Sequence, residues 1–278
     1  MKPDYRRHVT NSMPVKLNYT IFGDGQPVII LHGLLGSSGN WTPIAKKLAP
    51  AYQVITVDLR NHGDSEHNET MTYEAMADDV EHLIESLCLK ETVMIGHSLG
   101  GKVAMTSALR VPGLFSALIV LDIAPIRYRH QFDVPIDAMG AIDVETITSR
   151  READQKLAPA IPDAELRRFL LQNLAHDEKG FHWRVNLASI KANREFINGF
   201  PLGLHEGKYP GPALFLAGAD SEFINHDVEP DLVRYFPAAT IASIENAGHW
   251  LHVDQPAVVL EKIRVFIAKT LSAPRVNS

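Results

Sequence analysis

From Val15 onward, short runs rich in β-branched and aromatic residues alternate with stretches whose apolar positions recur at helical spacing. The runs cover 16–22, 27–31, 52–57, 92–96, 117–121, 213–217 and 240–244. Strands alternating with helices in this way predict an α/β fold, a mostly parallel central sheet flanked by helices on both faces. The turn Gly23-Asp24-Gly25 leads the first run into the second and predicts that the sheet opens with an antiparallel hairpin. Apolar residues at 76, 80, 83, 84 and 87 predict a helix over 71–89 with one stripe on the sheet. Helical patterns also fill 102–109 and 256–271.

After Leu121 the rhythm breaks, and the next convincing strand starts at Ala213. The intervening chain reads as an inserted helical cap. Leu166, Phe169, Leu170 and Leu174 form one helical stripe, and Leu187, Ile190, Arg194 and Ile197 a second, with joints at Pro135, Pro162, Pro201 and Pro210. The expected organisation is therefore a core over 1–125, a cap over 126–210 and the rest of the core over 211–278. A connection of this length is uncommon unless it is functional.

Composition narrows the function without naming it. The 278 residues are 45% hydrophobic and 22% charged, as in an ordinary globular protein. Acidic residues outnumber basic ones, 33 to 27, for a formal charge of -6, and the pairs Arg6-Arg7, Arg150-Arg151 and Arg167-Arg168 are scattered. Nucleic acid is not an expected partner. The single cysteine, Cys88, can close no internal disulfide; lying in an apolar run, it reads as a buried structural thiol and fits a reducing cytoplasm. The N-terminal residues 1–8 carry positive charge with no apolar stretch behind them, so no signal peptide is expected. The most apolar runs, 28–31 and 117–121, are of strand length and far short of the roughly 20 residues that span a bilayer, so no membrane segment is expected.

The chemistry lies in three motifs. Gly96-His97-Ser98-Leu99-Gly100-Gly101 follows a strand and precedes a helix, the context of a nucleophile elbow. A serine on so sharp a turn needs near side-chain-free neighbours two residues to either side, and Gly96 and Gly100 provide them. Second, His32-Gly33-Leu34-Leu35-Gly36-Ser37 ends the second run; the amides of Leu34 and Leu99 would together make an oxyanion hole. His32 itself reads as a hydrogen-bonding residue beneath that loop. Third, Asn246-Ala247-Gly248-His249-Trp250 follows the last run and places a general base, His249, after Ser98 in chain order. His252 is close by, but no ligand spacing surrounds the pair and no metal is expected.

The acid has two candidates, Asp122 and Asp220, both at strand ends between Ser98 and His249. A carboxylate within Leu121-Asp122-Ile123-Ala124-Pro125 is costly to bury unless it is paired, which favours Asp122. Asp58 and Arg60 in Asp58-Leu59-Arg60-Asn61-His62-Gly63 read as residues that pin a loop by charge-assisted hydrogen bonds, not as a second site.

Taken together and in order, these motifs resemble the α/β-hydrolase superfamily from about 15 to 271, and within it the small serine esterases of the bacterial ybfF type and their mitochondrial relatives. The resemblance implies the α/β-hydrolase fold, esterase or thioesterase activity on a small-molecule acyl ester or thioester, no cofactor, and an acyl pocket between core and cap. Across α/β-hydrolases the acid most often stands three residues after a glycine following the strand at 213–217; here Ser221 holds that place and Asp220 is one short. Such relatives often lack an aspartate in that turn, which supports Asp122, while the Asp220 found here departs from the pattern and leaves the assignment open.

Leu34, Leu35, His97, Phe181, Trp183, Phe223 and Trp250 are the candidate substrate-binding residues. Arg127, Arg129 and the cap arginine pairs read as solvated helix faces and not as an anion site. A C–C bond hydrolase, a lactonase or a cofactor-free peroxidase would keep the same three residues, and a non-catalytic ligand-binding protein is a third reading. Dehalogenases and epoxide hydrolases of this fold use an aspartate where Ser98 stands.

Overall fold

The computed structural model describes residues 13–128, 132–201 and 207–272, so the N-terminal residues 1–8, with Arg6 and Arg7, and Arg129 lie outside the described residues. Seven strands form the central sheet: β1 (Tyr19–Phe22), β2 (Gln26–Leu31), β3 (Tyr52–Val57), β4 (Thr92–His97), β5 (Phe115–Leu121), β8 (Ala213–Gly218) and β9 (Ala239–Ile244). Their order is β1-β3-β2-β4-β5-β8-β9. All neighbours are parallel except β1, which runs antiparallel to β3.

The expected opening hairpin is not formed, because β1 pairs with β3 and not with β2. Gly23, at φ +69, packs so closely that a Cβ there would lie 2.2 Å from the Ala49 carbonyl oxygen, which seats the turn against the loop before β3. Burial agrees. Val28 to Leu31 are fully buried on both faces, as a central parallel strand requires, whereas Tyr19 and Ile21 of β1 are exposed, as suits an edge.

Helices α1 (Thr42–Leu48), α2 (Tyr73–Ser86) and α3 (Leu99–Arg110) alternate with the first strands. The α2 N-cap is Thr72, whose hydroxyl accepts from the Ala75 amide. Cys88 corrects an expectation: it is exposed, not buried. The helix ends at Ser86, and Cys88 adopts a left-handed φ of 53, which turns its side chain off the stripe that the helical spacing had placed inside.

Between β5 and β8 the chain forms α4 (Asp133–Gly140), α5 (Arg150–Leu157), α6 (Ala164–Leu170), α7 (Leu187–Ala192) and α8 (Arg194–Asn198). It also forms a two-stranded antiparallel sheet, β6 (Leu174–Asp177) with β7 (Gly180–Trp183), which the helical reading of this insert did not anticipate. Leu174, expected at the end of a helical stripe, instead pairs with Trp183 across that hairpin. Helices α9 (Glu229–Tyr235), α10 (Leu251–Asp254) and α11 (Pro256–Ser272) complete the core.

Two apolar layers hold the sheet. One, including Ile29, Ile55, Met94, Val103 and Leu118, continues beneath the insert; the other packs Val28, Ile30, Val93 and Ile119 against α1 and α11. Among the described residues no helix is long and apolar enough to cross a membrane.

The sheet order places the chemistry. Chain progression runs outward to β3 on one side of β2 and to β5 on one side of β4, so β2 and β4 flank the point where the winding reverses. In open parallel sheets ligands bind beyond the carboxyl ends at such a point. The register levels these ends: Leu31 pairs with Gly96, His97 with Leu121, and Leu121 with Leu216. The residues that follow each strand are thereby brought to one edge.

Candidate active site

Ser98 occupies the turn from β4 into α3 at φ 51 and ψ -115, a backbone conformation that L side chains rarely adopt. The turn is held by the Ser98 amide, which donates to the Leu121 carbonyl at 3.1 Å. A Cβ on Gly96 would lie 2.2 Å from the Gly100 carbonyl oxygen, and one on Gly100 would lie 2.6 Å from those of Leu31 and His32. Both positions therefore need glycine for close approach, as the sequence pattern anticipated.

The Ser98 hydroxyl lies 3.0 Å from Nε2 of His249, and Nδ1 of His249 lies 2.8 Å from Oδ2 of Asp122. An ionised carboxylate only accepts, so Nδ1–H donates to Asp122 and Nε2 is left to accept the serine proton. Asp122 has no exposed surface, and its charge is met by neighbours: the Gly218 amide donates to Oδ1 at 3.0 Å, and the Ser221 hydroxyl donates to Oδ2. Its own φ of 51 turns the carboxylate off the β5 axis toward His249. Asp220 is exposed in the turn after β8, where its amide donates to the Ala247 carbonyl at 2.9 Å. Of the two sequence candidates, then, Asp122 meets the imidazole.

Two rings flank that imidazole. Phe223 stacks on it with centroids 4.0 Å apart, and His97 lies on another side at 4.8 Å, its Nε2–H donating to the His249 carbonyl at 2.8 Å. His97 is buried, and burial first, then the neighbouring imidazoles of His252 and His249, holds its pKa well below the usual histidine range. It is thus a neutral donor.

The loop after β2 passes beside Ser98. Leu35, at φ 61, gives its amide to Nε2 of His62, and the Gly36 amide donates to the Gly33 carbonyl. On the other side, the amides of Ser98 and Gly100 are taken by Leu121 and His32. Among the described residues the amides of Leu34 and Leu99 have no such partner, and both residues line the space next to Ser98. Two free N–H groups beside a serine hydroxyl are what a developing oxyanion needs.

Beneath that loop, Nε2 of His32 accepts from the Leu59 amide at 3.0 Å, so its Nδ1–H donates to the Gly33 carbonyl at 2.7 Å. The expected hydrogen-bonding role of His32 is what the geometry shows. Asp58 accepts from the Ser38 and Asp64 amides and from Asn18, and Arg60 is paired with Asp79 and with the carbonyls of Thr70 and Ala75. Both residues pin the loop, each through its own partners.

A cavity of about 650 Å³ opens from Ser98 and His249 between the sheet edge and the insert. Leu34, His97 and Trp250 line it; Phe223 instead lines a smaller cavity on the other side of Ser98. Three sequence candidates are corrected. Leu35 is buried in the core, with its carbonyl accepting from Asn173. Phe181 and Trp183 stand on β7, where Phe181 packs edge-on against His176 across the hairpin, and neither lines the large cavity. Those two were candidates only as aromatic residues of the insert, and pairing in the β6–β7 hairpin fixes their side chains against it. The walls are completed by Trp41, Phe132 and Gln172, which sequence reasoning passed over, by His252, which it weighed only as a metal ligand, and by Arg168, which it read as part of a solvated helix face. Phe169, anticipated only as part of a helical stripe, also lines the cavity and packs against Trp250. No local signal marks such residues, because they converge from segments far apart in sequence. Arg127 pairs at the surface with Glu195 and Arg167 with Asp154, as solvated or structural residues do.

A serine, an imidazole and a buried carboxylate in one hydrogen-bonded line, at the carboxyl edge of a parallel sheet, are the means by which a hydroxyl becomes a nucleophile. The class is that of the serine hydrolases. A family model described as the alpha/beta hydrolase fold matches residues 26–256, and the chain belongs to that family. It is 41% identical to the sn-1-specific diacylglycerol lipase ABHD11 of Danio rerio over 91% of this chain and 83% of the relative. It is 30% identical to Esterase YbfF of Escherichia coli K12, over 88% and 94% of the two chains. Among solved structures, one described as a marine microorganism esterase superposes with a TM-score of 0.86 at 38% identity, covering 92% of this chain and all of the other.

Proposed function

We propose that this protein is a serine carboxylesterase or thioesterase that hydrolyses short- to medium-chain acyl esters through an acyl-enzyme on Ser98. It is an ester-hydrolysing enzyme, as its relatives named for lipase and esterase activity support. The observation that carries the reading is the unbroken line from Asp122 through His249 to Ser98 at the mouth of a cavity of about 650 Å³.

In this mechanism His249 takes the Ser98 proton as Oγ attacks the acyl carbonyl, and Asp122 steadies the imidazolium that forms. The amides of Leu34 and Leu99 hold the oxyanion, a contribution worth about a hundredfold to a thousandfold in rate for each donor. His249 returns the proton to the leaving group, and water then releases the acid by the same steps. From the insert, Phe132 and Phe169 help to wall the acyl cavity, Phe169 packing against Trp250. No cofactor is required by these steps. The single cysteine supports a reducing cytoplasm, and the net charge of -6 supports small molecules over nucleic acid as partners.

The test is hydrolysis of p-nitrophenyl esters from acetate to decanoate by the wild type and Ser98→Ala. Activity that falls to background in the variant supports the reading. A wild type inert on every ester of the series overturns it.

A further inference from the structure

One imidazole of the site has no task in the triad. His252 stands on α10, just after His249 in the chain, and is only 8% exposed. Its ring stacks flat on the Trp41 indole, centroids 4.4 Å apart and planes 12° apart, and meets the edge of His97 at 4.7 Å. Nδ1 is buried and meets no hydrogen-bond partner among the described residues, and none of them bonds Nε2. His32 and His62, also buried, use both ring nitrogens. Buried polar groups are nearly always paired, and an unpaired one costs free energy that a phenylalanine at the same place would avoid.

The surroundings indicate what pairs with it. His252 lines the cavity of about 650 Å³ together with Ser98, His97 and His249. Burial, and after it His249, lowers its pKa to about 3, so the ring is neutral near pH 7 and holds one N–H and one lone pair. Such a ring has no charge to offer a carboxylate or an ammonium. An uncharged hydroxyl both donates and accepts, and so matches the ring in either tautomer. Two uncharged amides of the same lining are engaged with each other: Asn40 donates to Gln172 at 2.7 Å and accepts from the Ser37 amide. The charged lining residues Asp163, Glu165, Arg168 and Asp254 are exposed and mark the mouth, through which a leaving group departs. A buried anchor faces instead the part of the substrate that stays through both steps, the acyl chain.

We propose that His252 is a specificity-determining residue of the large cavity, which hydrogen-bonds a hydroxyl on the acyl chain and so favours esters of hydroxy acids. The inference rests on the ester-hydrolase reading, with the acyl group in that cavity, and deepens it. Trp41 and His97 hold the ring in place, so the bond forms with little side-chain ordering left to do. The bond changes stay with Ser98 and His249, and His252 exchanges no proton. The sign of the preference is diagnostic. A hydroxyl carried into a cavity without a partner loses its water and binds worse than a methyl group, whereas a partner at His252 reverses that order.

The experiment compares ethyl 3-hydroxyhexanoate with ethyl 3-methylhexanoate, and ethyl 6-hydroxyhexanoate with ethyl heptanoate, by titration of the acid released. Each rate is divided by that of alkaline hydrolysis, which removes differences in intrinsic reactivity. Wild-type kcat/KM for the better hydroxyacyl ester should exceed that of its methyl counterpart by about tenfold. His252→Phe, which keeps a ring against Trp41 and removes both nitrogens, should bring that ratio to about one or below, and His252→Asn, which restores a donor and an acceptor, should recover part of it. The ratio is taken within each enzyme, so a general loss of activity cancels. A wild type that prefers the methyl compounds, a preference that survives in a folded His252→Phe, or one seen only with the hydroxyl on the alcohol side, as in 6-hydroxyhexyl acetate against heptyl acetate, overturns the inference. If neither variant folds, the wild type decides: one fixed ring serves one position, so the ratios for the 3- and 6-hydroxy esters should differ by about fivefold, and equal ratios overturn the inference. Hydrolysis of the methyl counterparts without the preference leaves the ester-hydrolase reading standing while this inference falls; a wild type inert on all of these esters removes the reading itself.

Discussion

The Ser221 hydroxyl donates its hydrogen bond to the Asp122 carboxylate oxygen that also receives Nδ1 of His249. Ser221 stands three residues after Gly218, at the place where the acid most often lies in proteins of this resemblance. Here the carboxylate stands on the neighbouring strand, and Ser221 addresses the same imidazole through it. Losing a hydrogen bond to a buried charged group is worth about 1.5–3 kcal/mol, so Ser221→Ala should lower kcat/KM for a p-nitrophenyl ester by about tenfold or more with the circular dichroism unchanged. A rate within twofold of wild type would show that the other Asp122 contacts suffice.

The two aspartates separate cleanly. Asp122→Asn keeps the shape but cannot hold the Nδ1–H tautomer, and a loss of about ten-thousandfold in kcat is expected. Asp220→Asn, at an exposed turn, should leave ester hydrolysis within about twofold, as surface changes usually do. Steady-state rates of both variants check this, and the opposite ranking would move the acid to the turn after β8.

Gly100 admits no side chain. A Cβ there meets backbone oxygens of Leu31 and His32 at 2.6 Å, and backbone, unlike the end of a side chain, cannot step aside. Gly100→Ala should cost about 3 kcal/mol or more of stability and misplace the elbow, read as a lowered thermal midpoint together with lost esterase activity. A normal midpoint would mean that strand and helix part without penalty.

Arg60 and Asp79 form an ion pair with both side chains essentially unexposed, Nε to Oδ2 at 2.6 Å. Removing one member strands the other in the core. Asp79→Ala should lose about 3–5 kcal/mol in urea denaturation. A loss below about 1 kcal/mol would place water at the site.

Acid should destabilise the fold before the carboxylates titrate. His62 accepts from the Leu35 amide and donates to the Arg60 carbonyl, and burial, then the charge of His32, lowers its pKa to about 3; burial, then His249, does the same for His252. Their folded pKa values lie below the unfolded value near 6.5, so between these limits the unfolded chain binds more protons and stability rises with pH. Each group should therefore remove up to about 1.4 kcal/mol per pH unit as pH falls below about 6.5. Urea midpoints at pH 7.5, 6, 5 and 4.5 would show this slope, and a flat profile across that range would contradict it.

Much of the molecule was legible from sequence because the signals are local. Alternation of β-rich runs with helical spacing placed all seven central strands within a few residues, from Phe22 at the end of β1 to Ile244 at the end of β9, since side-chain period reports directly on strand and helix. The glycines around Ser98 marked the elbow because close approach of strand and helix excludes a Cβ at those two positions. Chain order alone put His249 last, and the apolar setting of Asp122 argued for a carboxylate that must be paired.

Other features were decided only when distant segments met. The partner of β1 depends on where the turn at Gly23 seats against the α1–β3 loop, which no local pattern records. The hairpin of β6 and β7, in an insert read as helical, took Leu174 from the end of its expected helical stripe and left Phe181 and Trp183 outside the lining of the large cavity, because a short segment adopts the state that its tertiary neighbours stabilise. Cys88 left the core through one left-handed residue past the end of α2. The pairing of Lys102 with carbonyls of Asn198 and Gly199, nearly a hundred positions away, likewise has no trace in its own neighbourhood. Sequence by itself determined the periodicities, the elbow and the order of the reactive groups, because backbone sterics and burial of apolar stripes act over a few residues. Tertiary structure decided register, cavity walls and which carboxylate meets His249, because those depend on distances between residues that only the folded sheet brings to one edge.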